Sequence, residues 1–322
     1  MRIFCSESEN AYAQKSNYTP YPPTIVSYDF LLQFVGRKAM EINMKKGISI
    51  WSFAEPDLEK CFALAKDAGF DGVEVALDEK GLISLESTQE DALKVKAMAE
   101  KAGIELYSVA TGLYWAYNYT SENAENRAKA KEITKKQLQV AAWLGCDTIL
   151  VVPGAVNVAF EPGSEIVDYD VAYDRALEAL KELAPVAEEL KVSIAVENVW
   201  NKFLLSPLEM RNFIDEVGSK FVGAYFDVGN VIYCGYPQHW IKILGDRIKK
   251  VHFKDYRYSV GGLDGFVDLL AGDVDYIGVM AAFEKIGYDN WVTAEMLPPY
   301  AQYPETILYN TSNAMDKILG RK

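Results

Sequence analysis

The chain has 322 residues, 50% hydrophobic and 25% charged, with a formal net charge of −13 at pH 7. The carboxylate surplus argues against a nucleic-acid partner, since such binding draws on lysine and arginine neutralising phosphates; a small phosphorylated molecule would need only one local cluster of donors. No window offers the ~20 uninterrupted apolar residues of a membrane span, and Cys5, Cys61, Cys146 and Cys234 lie far apart without C-x-x-C spacing, as expected of reduced thiols in a cytoplasmic protein.

In chain order, residues 1–43 come first and sustain neither a helical nor a strand period. Tyr18-Thr-Pro-Tyr-Pro-Pro23 favours extended backbone, and the apolar run Phe30–Val35 is short and distant from the start for a secretory signal. Regular patterning begins at Met44-Lys-Lys-Gly-Ile-Ser-Ile50. Met44 therefore reads as the functional start of the domain 44–322, and 1–43 as an irregular N-terminal extension or loosely docked arm.

From Gly47 onward, short apolar runs alternate with amphipathic segments, the signature of parallel βα architecture. The strands read as Gly47–Phe53, Gly72–Ala76, Glu105–Ala110, Thr148–Val152, Ser193–Glu197, Gly223–Asp227, Lys250–Phe253 and Trp291–Glu295. The helices read as Asp57–Ala68, Glu90–Ala102, Glu122–Leu144, Val171–Leu190, Pro207–Glu216, Gln238–Leu244, Tyr276–Ile286 and Pro304–Leu319. Ser121 and Ser206 stand where N-caps are expected, and Gly69, Gly103, Gly145 and Gly287 where helices stop. Eight units in about 280 residues, with no Gly-rich phosphate loop at a strand–helix junction, predict an α/β fold consisting of a single (β/α)8 TIM barrel rather than an open sheet.

Residues at the C-terminal ends of barrel strands converge on one cavity. Four consecutive strands end in ligand-type residues: Val-Glu197-Asn198, Phe-Asp227-Val-Gly-Asn230, Val-His252-Phe-Lys-Asp255 and Ala-Glu295-Met296. A bare carboxylate there is costly unless it is paired or holds a cation. Taken singly, each acid could cap the next helix; taken together, Glu197, Asp227, His252 and Glu295 suit a divalent ion, Mn²⁺ or Co²⁺ ahead of Mg²⁺, with Zn²⁺ also admissible. The chain has two histidines; His239, at a helix start, reads as structural.

From about Met44 to the C-terminus these motifs resemble the sugar phosphate isomerase/epimerase superfamily of xylose-isomerase-like barrels. The D-x-G-N and H-x-K-D forms look most like the L-ribulose/L-xylulose 5-phosphate 3-epimerases. The resemblance implies that Glu197 and Glu295 are both metal ligands and the catalytic acid/base pair, while Asp227 and His252 mainly hold the metal. The implied reaction removes a proton beside a ketose carbonyl and returns one to the opposite face, through a metal-stabilised enediolate. Two departures count against a free-ketose substrate. Free-ketose 3-epimerases typically carry a histidine where Asn230 stands, and a second acid shortly after the first glutamate, where this chain reads Val199-Trp-Asn-Lys-Phe203.

Further sugar contacts are expected at Trp51 and Trp115, whose rings suit a sugar's apolar face, at Glu74 inside strand two, at Asn198 and Asn230 inside the matching motifs, and at Lys254 and Arg257 after the histidine. Gly261-Gly-Leu-Asp-Gly265 reads as a mobile loop able to act as a lid. The expected partner is a small carbohydrate, with no nucleic acid and no membrane, and the expected assembly a homodimer or homotetramer. The alternatives are a metal-dependent dehydratase or lyase on an inosose or 3-oxo-glycoside, and a non-catalytic sugar-binding barrel; barrel endonucleases that cut abasic DNA would need zinc-binding histidines that this chain lacks.

Overall fold

The computed structural model describes residues 43–158 and 160–321. The expected extension 1–43, apart from its last residue, lies outside the described residues, as does Cys5. Eight parallel strands close into a barrel in the order β1 Lys45–Ser49, β2 Gly72–Ala76, β3 Glu105–Ala110, β4 Thr148–Val151, β5 Ser193–Glu197, β6 Val222–Asp227, β7 Ile248–Phe253 and β10 Trp291–Ala294, which pairs back onto β1. Between them run α1 Leu58–Ala68, α2 Gln89–Ala102, α3 Ala124–Leu144, α4 Tyr169–Leu190, α5 Pro207–Val217, α6 Pro237–Leu244 and α7 Tyr276–Ile286, with α8 Thr306–Ile318 after the last strand. A strand walled by helices outside and side chains inside is buried on both faces, so near-continuous apolar runs such as Val222–Asp227 form it; all six residues of β6 are buried.

The eight expected strands and helices are all present, with ends shifted by a few residues. β1 stops at Ser49 because the chain turns into a 3-10 helix, Ile50–Ser52, which carries Trp51. α3 is capped by Asn123, whose side chain accepts from the Glu125 amide at 2.8 Å; Ser121, expected in that role, instead accepts from the Asn123 amide. Ser206 does cap α5, accepting from Glu209 N at 3.2 Å ahead of Pro207 at the first helical position. The four expected glycines end α1, α2, α3 and α7 in the left-handed conformation that glycine adopts without a Cβ penalty.

Two short strands were not foreseen. β8 Asp255–Tyr256 pairs antiparallel with β9 Phe266–Val267, so the expected Gly261–Gly265 loop forms the end of a small hairpin over the barrel mouth. Asp255 anchors it. Its buried carboxylate accepts from the backbone amides of Tyr256, Leu270, Gly272 and Val274 at 2.8–3.1 Å. Among the described residues, Cys61 and Cys146 are buried thiols of the core, and burial pushes Cys61 up to about 12; no helix is long and apolar enough to cross a membrane.

Candidate metal centre and cavity

Glu197 and Asp227 are the last residues of β5 and β6, His252 is the penultimate residue of β7, and Glu295 follows β10 directly. In-register pairing sets Asp227 opposite His252 and Thr293 opposite His252 on the other side, so neighbouring strand ends turn their side chains toward one point. One ligand atom from each of the four lies within 4.8 Å of all the others. All four residues are buried.

The contacts of its ring decide which His252 nitrogen faces that point. His252 Nε2 lies 2.9 Å from Glu74 Oε1, while Nδ1 faces Glu197 at 3.4 Å, Glu295 at 3.5 Å and Asp227 at 3.8 Å. Glu74 is itself fixed, accepting from Ser108 Oγ at 2.9 Å and from the Tyr225 hydroxyl. A carboxylate that receives Nε2–H holds the tautomer with its lone pair on Nδ1, as metal-bound histidines require. His252 Nδ1, Asp227 Oδ2 and Glu295 Oε2 are buried without a hydrogen bond, and the two carboxylate oxygens form ion pairs with the Lys254 ammonium. Three buried carboxylates and an imidazole served by one ammonium leave a desolvation cost that a bound cation would reduce. The set of three carboxylates and one imidazole therefore fits a divalent ion.

Positive charge already gathers here. The Lys254 ammonium lies 3.1 Å from Asp227 Oδ2, forms an ion pair with Glu295, and sits 5.8 Å from the Phe266 ring centre. Burial pushes the Glu197 and Asp227 carboxyls up. For Glu295 the same burial is overcome by Lys254 and His252, which hold the carboxyl well below its usual range. Desolvation alone would lower His252, but Glu74, Glu295 and Glu197 outweigh it and raise the imidazole well above its ordinary value. That shift favours the protonated imidazole in the metal-free chain. A metal ion must displace that proton, so affinity is expected to climb as pH rises, with release of about one proton per ion. Calorimetric titration with Mn²⁺ in buffers of different ionisation enthalpy measures this; heats independent of the buffer would contradict it.

A cavity of ≈ 640 Å³ opens above the cluster. Glu197 and Glu295 line it, whereas Asp227 and His252 lie behind them. Of the expected sugar contacts, Trp51, Trp115, Asn230 and Lys254 also line it. Three do not. Glu74 is fully buried and spends its oxygens on His252, Ser108 and Tyr225. Asn198 spends its side-chain amide on the backbone of Asp227, donating to its carbonyl at 2.8 Å and accepting from its N–H at 2.9 Å. Arg257 is exposed and donates to the Ala271 carbonyl, clipping the hairpin. Asn230 in turn donates to the Asn198 carbonyl at 3.0 Å, and its N–H donates to Asp227 Oδ1 at 2.8 Å, which ties the two asparagine motifs into one support. The glycine between them is required for space: a Cβ at Gly229 would stand 2.6 Å from Lys254 Cβ.

Such a barrel, with acids and an imidazole gathered at the C-terminal mouth beneath a cavity, defines a (β/α)8 protein with a buried cluster that could hold a cation. The chain belongs to the xylose isomerase-like TIM barrel family, whose model matches residues 62–311. It is 27% identical over 256 residues to SgbU of Escherichia coli K12, provisionally named an L-ribulose-5-phosphate 3-epimerase, covering 75% of this chain and 84% of that one. Solved structures with the same fold include a D-psicose 3-epimerase, crystallised in the presence of D-fructose (TM-score 0.69, 22% identity, 86% of this chain and 100% of that one). Another is the 3-keto-D-glucoside 4-epimerase YcjR of E. coli (TM-score 0.68, 20% identity, 85% and 99%).

Proposed function

We propose that the protein is a divalent-metal-dependent sugar 3-epimerase, an isomerase that inverts the carbon beside a ketose carbonyl. The reading rests on one observation above all: of the four clustered residues, only the two glutamates face the cavity. Proton transfer needs a carboxylate within reach of the reacting carbon, and geometry comes before pKa in choosing it. Glu197 and Glu295 meet that condition from strands separated in the barrel by β6 and β7. One takes the proton from the substrate carbon, and the other returns a proton to the opposite face. Asp227 and His252 hold the ion, with Glu74 fixing the imidazole. A divalent ion bound there would polarise the sugar carbonyl and so acidify the neighbouring C–H. Trp51 and Trp115 shield the site from water and offer rings to the sugar's apolar face.

The names of the relatives point the same way, since SgbU and the D-psicose enzyme are both named as 3-epimerases. Turnover in D2O tests the reading. Substrate recovered after partial reaction is expected to carry one deuterium at the inverted carbon, with no dehydrated product. Dehydrated or cleaved sugar would assign the site to the lyases instead, and unlabelled epimer would exclude proton transfer with solvent-exchanging carboxylates.

A further inference from the structure

The named relatives take a phosphorylated pentulose, a free hexulose and a keto-glucoside, so kinship leaves the substrate class open and the cavity wall has to decide it. A phosphate group brings about two negative charges and asks for arginine, lysine or free backbone N–H groups. Among the described residues lining the cavity, Lys254 is the one cation, paired with Asp227 and Glu295 in the metal-free chain, and a single ammonium does not balance a phosphate. Five carboxylates share the wall: Glu197, Asp255, Asp264, Asp268 and Glu295. The ion would offset the two glutamates and backbone amides satisfy Asp255, but Asp264 and Asp268 still oppose an anion. The helix whose first turn touches the cavity, α8 through Ile307, is no better. It opens on Glu305, and the amides of Thr306 and Leu308 already donate to carbonyls.

The rest of the wall is apolar and aromatic. Trp115 meets Phe160 edge-on at 4.9 Å between ring centres, and Trp200 lies 5.3 Å from Phe266. Phe160, Leu263 and Leu297 line the cavity while remaining 40%, 50% and 48% exposed. Large apolar side chains left open around a concave site mark a ligand surface. The volume lies within the range of roughly 300–1,000 Å³ that encloses a drug-sized molecule, beyond what one sugar ring fills.

We infer that the substrate is an unphosphorylated sugar carrying an apolar ring as a substituent. The sugar sits over Glu197 and Glu295, and the ring lies against the Trp115–Phe160 and Trp200–Phe266 walls. The inference rests on the proposed sugar chemistry of the two glutamates, but its test needs no turnover. Quenching of tryptophan fluorescence in the Mn²⁺-loaded protein is titrated with D-fructose, D-fructose 6-phosphate and phenyl β-D-glucopyranoside. The phenyl glucoside is expected to bind at least about tenfold tighter than fructose, as a ring buried against aromatic walls would, and the phosphate no tighter than fructose. Phe160→Ala and Phe266→Ala should each erase part of the phenyl advantage. Tighter binding of the phosphate than of fructose, or no phenyl preference, overturns the inference. Deuterium exchange separates the two claims: exchange confined to phosphorylated ketoses sinks the substrate class and keeps the chemistry, whereas phenyl-selective binding with no exchange on any sugar does the reverse.

Discussion

Glutamine in place of Glu197 or Glu295 is expected to lower the epimerisation rate by about 10²–10⁴-fold at saturating metal, the usual worth of a positioned acid or base. Glutamine keeps the volume and one ligand oxygen but cannot carry a proton, so each substitution removes the transfer while disturbing the packing little. Both glutamates also belong to the cluster within 4.8 Å, so some loss of metal affinity is expected too. Metal titration followed by kinetics at saturation separates the two effects. The structure makes the pair unequal in the metal-free chain. Burial pushes Glu197 up, and the neighbouring cations hold Glu295 down.

A sharper form of the same prediction uses both epimers. If each glutamate serves one face, each single variant should still wash the proton out of the epimer that its surviving glutamate faces, and should fail on the other. Glu197→Gln and Glu295→Gln would then lose exchange on opposite epimers, and neither would interconvert them. Measured by NMR loss of the C3 proton in D2O, this pattern is unlike any general destabilisation. Epimerisation within a factor of about three of the parent in both variants, at saturating metal, would refute the assignment.

The sequence carried the barrel because every unit repeats the same local logic, an apolar run followed by an amphipathic stretch between recognisable stops. It carried the cluster because Glu197, Asp227, His252 and Glu295 interrupt or end apolar runs, where an unpaired charge has no structural reason to be. Pattern alone could not say which nearby polar groups face the ligand. Glu74 sits in Gly72-Val-Glu-Val-Ala76, a run that places it inside the barrel, yet its contacts with His252, Ser108 and Tyr225 span three other strands. Asn198 looked like a sugar contact and is spent on the Asp227 backbone. Asp255 went unassigned because its partners, the amides of Leu270, Gly272 and Val274, are 15–19 residues away. The acid immediately after the His-Phe-Lys run was visible as a signal; its hydrogen bonds were not. Trp200 and Phe266 meet only once the hairpin folds over the mouth.

Glu74 gives the second large effect, because it would act on the proposed metal site without touching the ion. Its Oε1 meets His252 Nε2 at 2.9 Å, and both side chains are fully buried. An anionic acceptor there fixes the ring orientation, keeps Nδ1 free of its proton when metal binds, and strengthens the imidazole as a donor. Removing such a support typically costs about 10–100-fold in metal affinity. Glu74→Gln is the informative change, since the amide oxygen can still accept from Nε2 while the Ser108 and Tyr225 hydroxyls rotate to accept from its NH2 group. The expected result is an Mn²⁺ dissociation constant raised by about 10–100-fold with thermal stability nearly kept. Glu74→Leu leaves three buried donors without an acceptor, and the fold should lose about 3–5 kcal/mol as well. Calorimetry for the metal and thermal melts for the fold separate the two. An unchanged Mn²⁺ affinity in Glu74→Gln would mean that the barrel walls alone orient His252, and that the carboxylate beneath it serves the core rather than the ion.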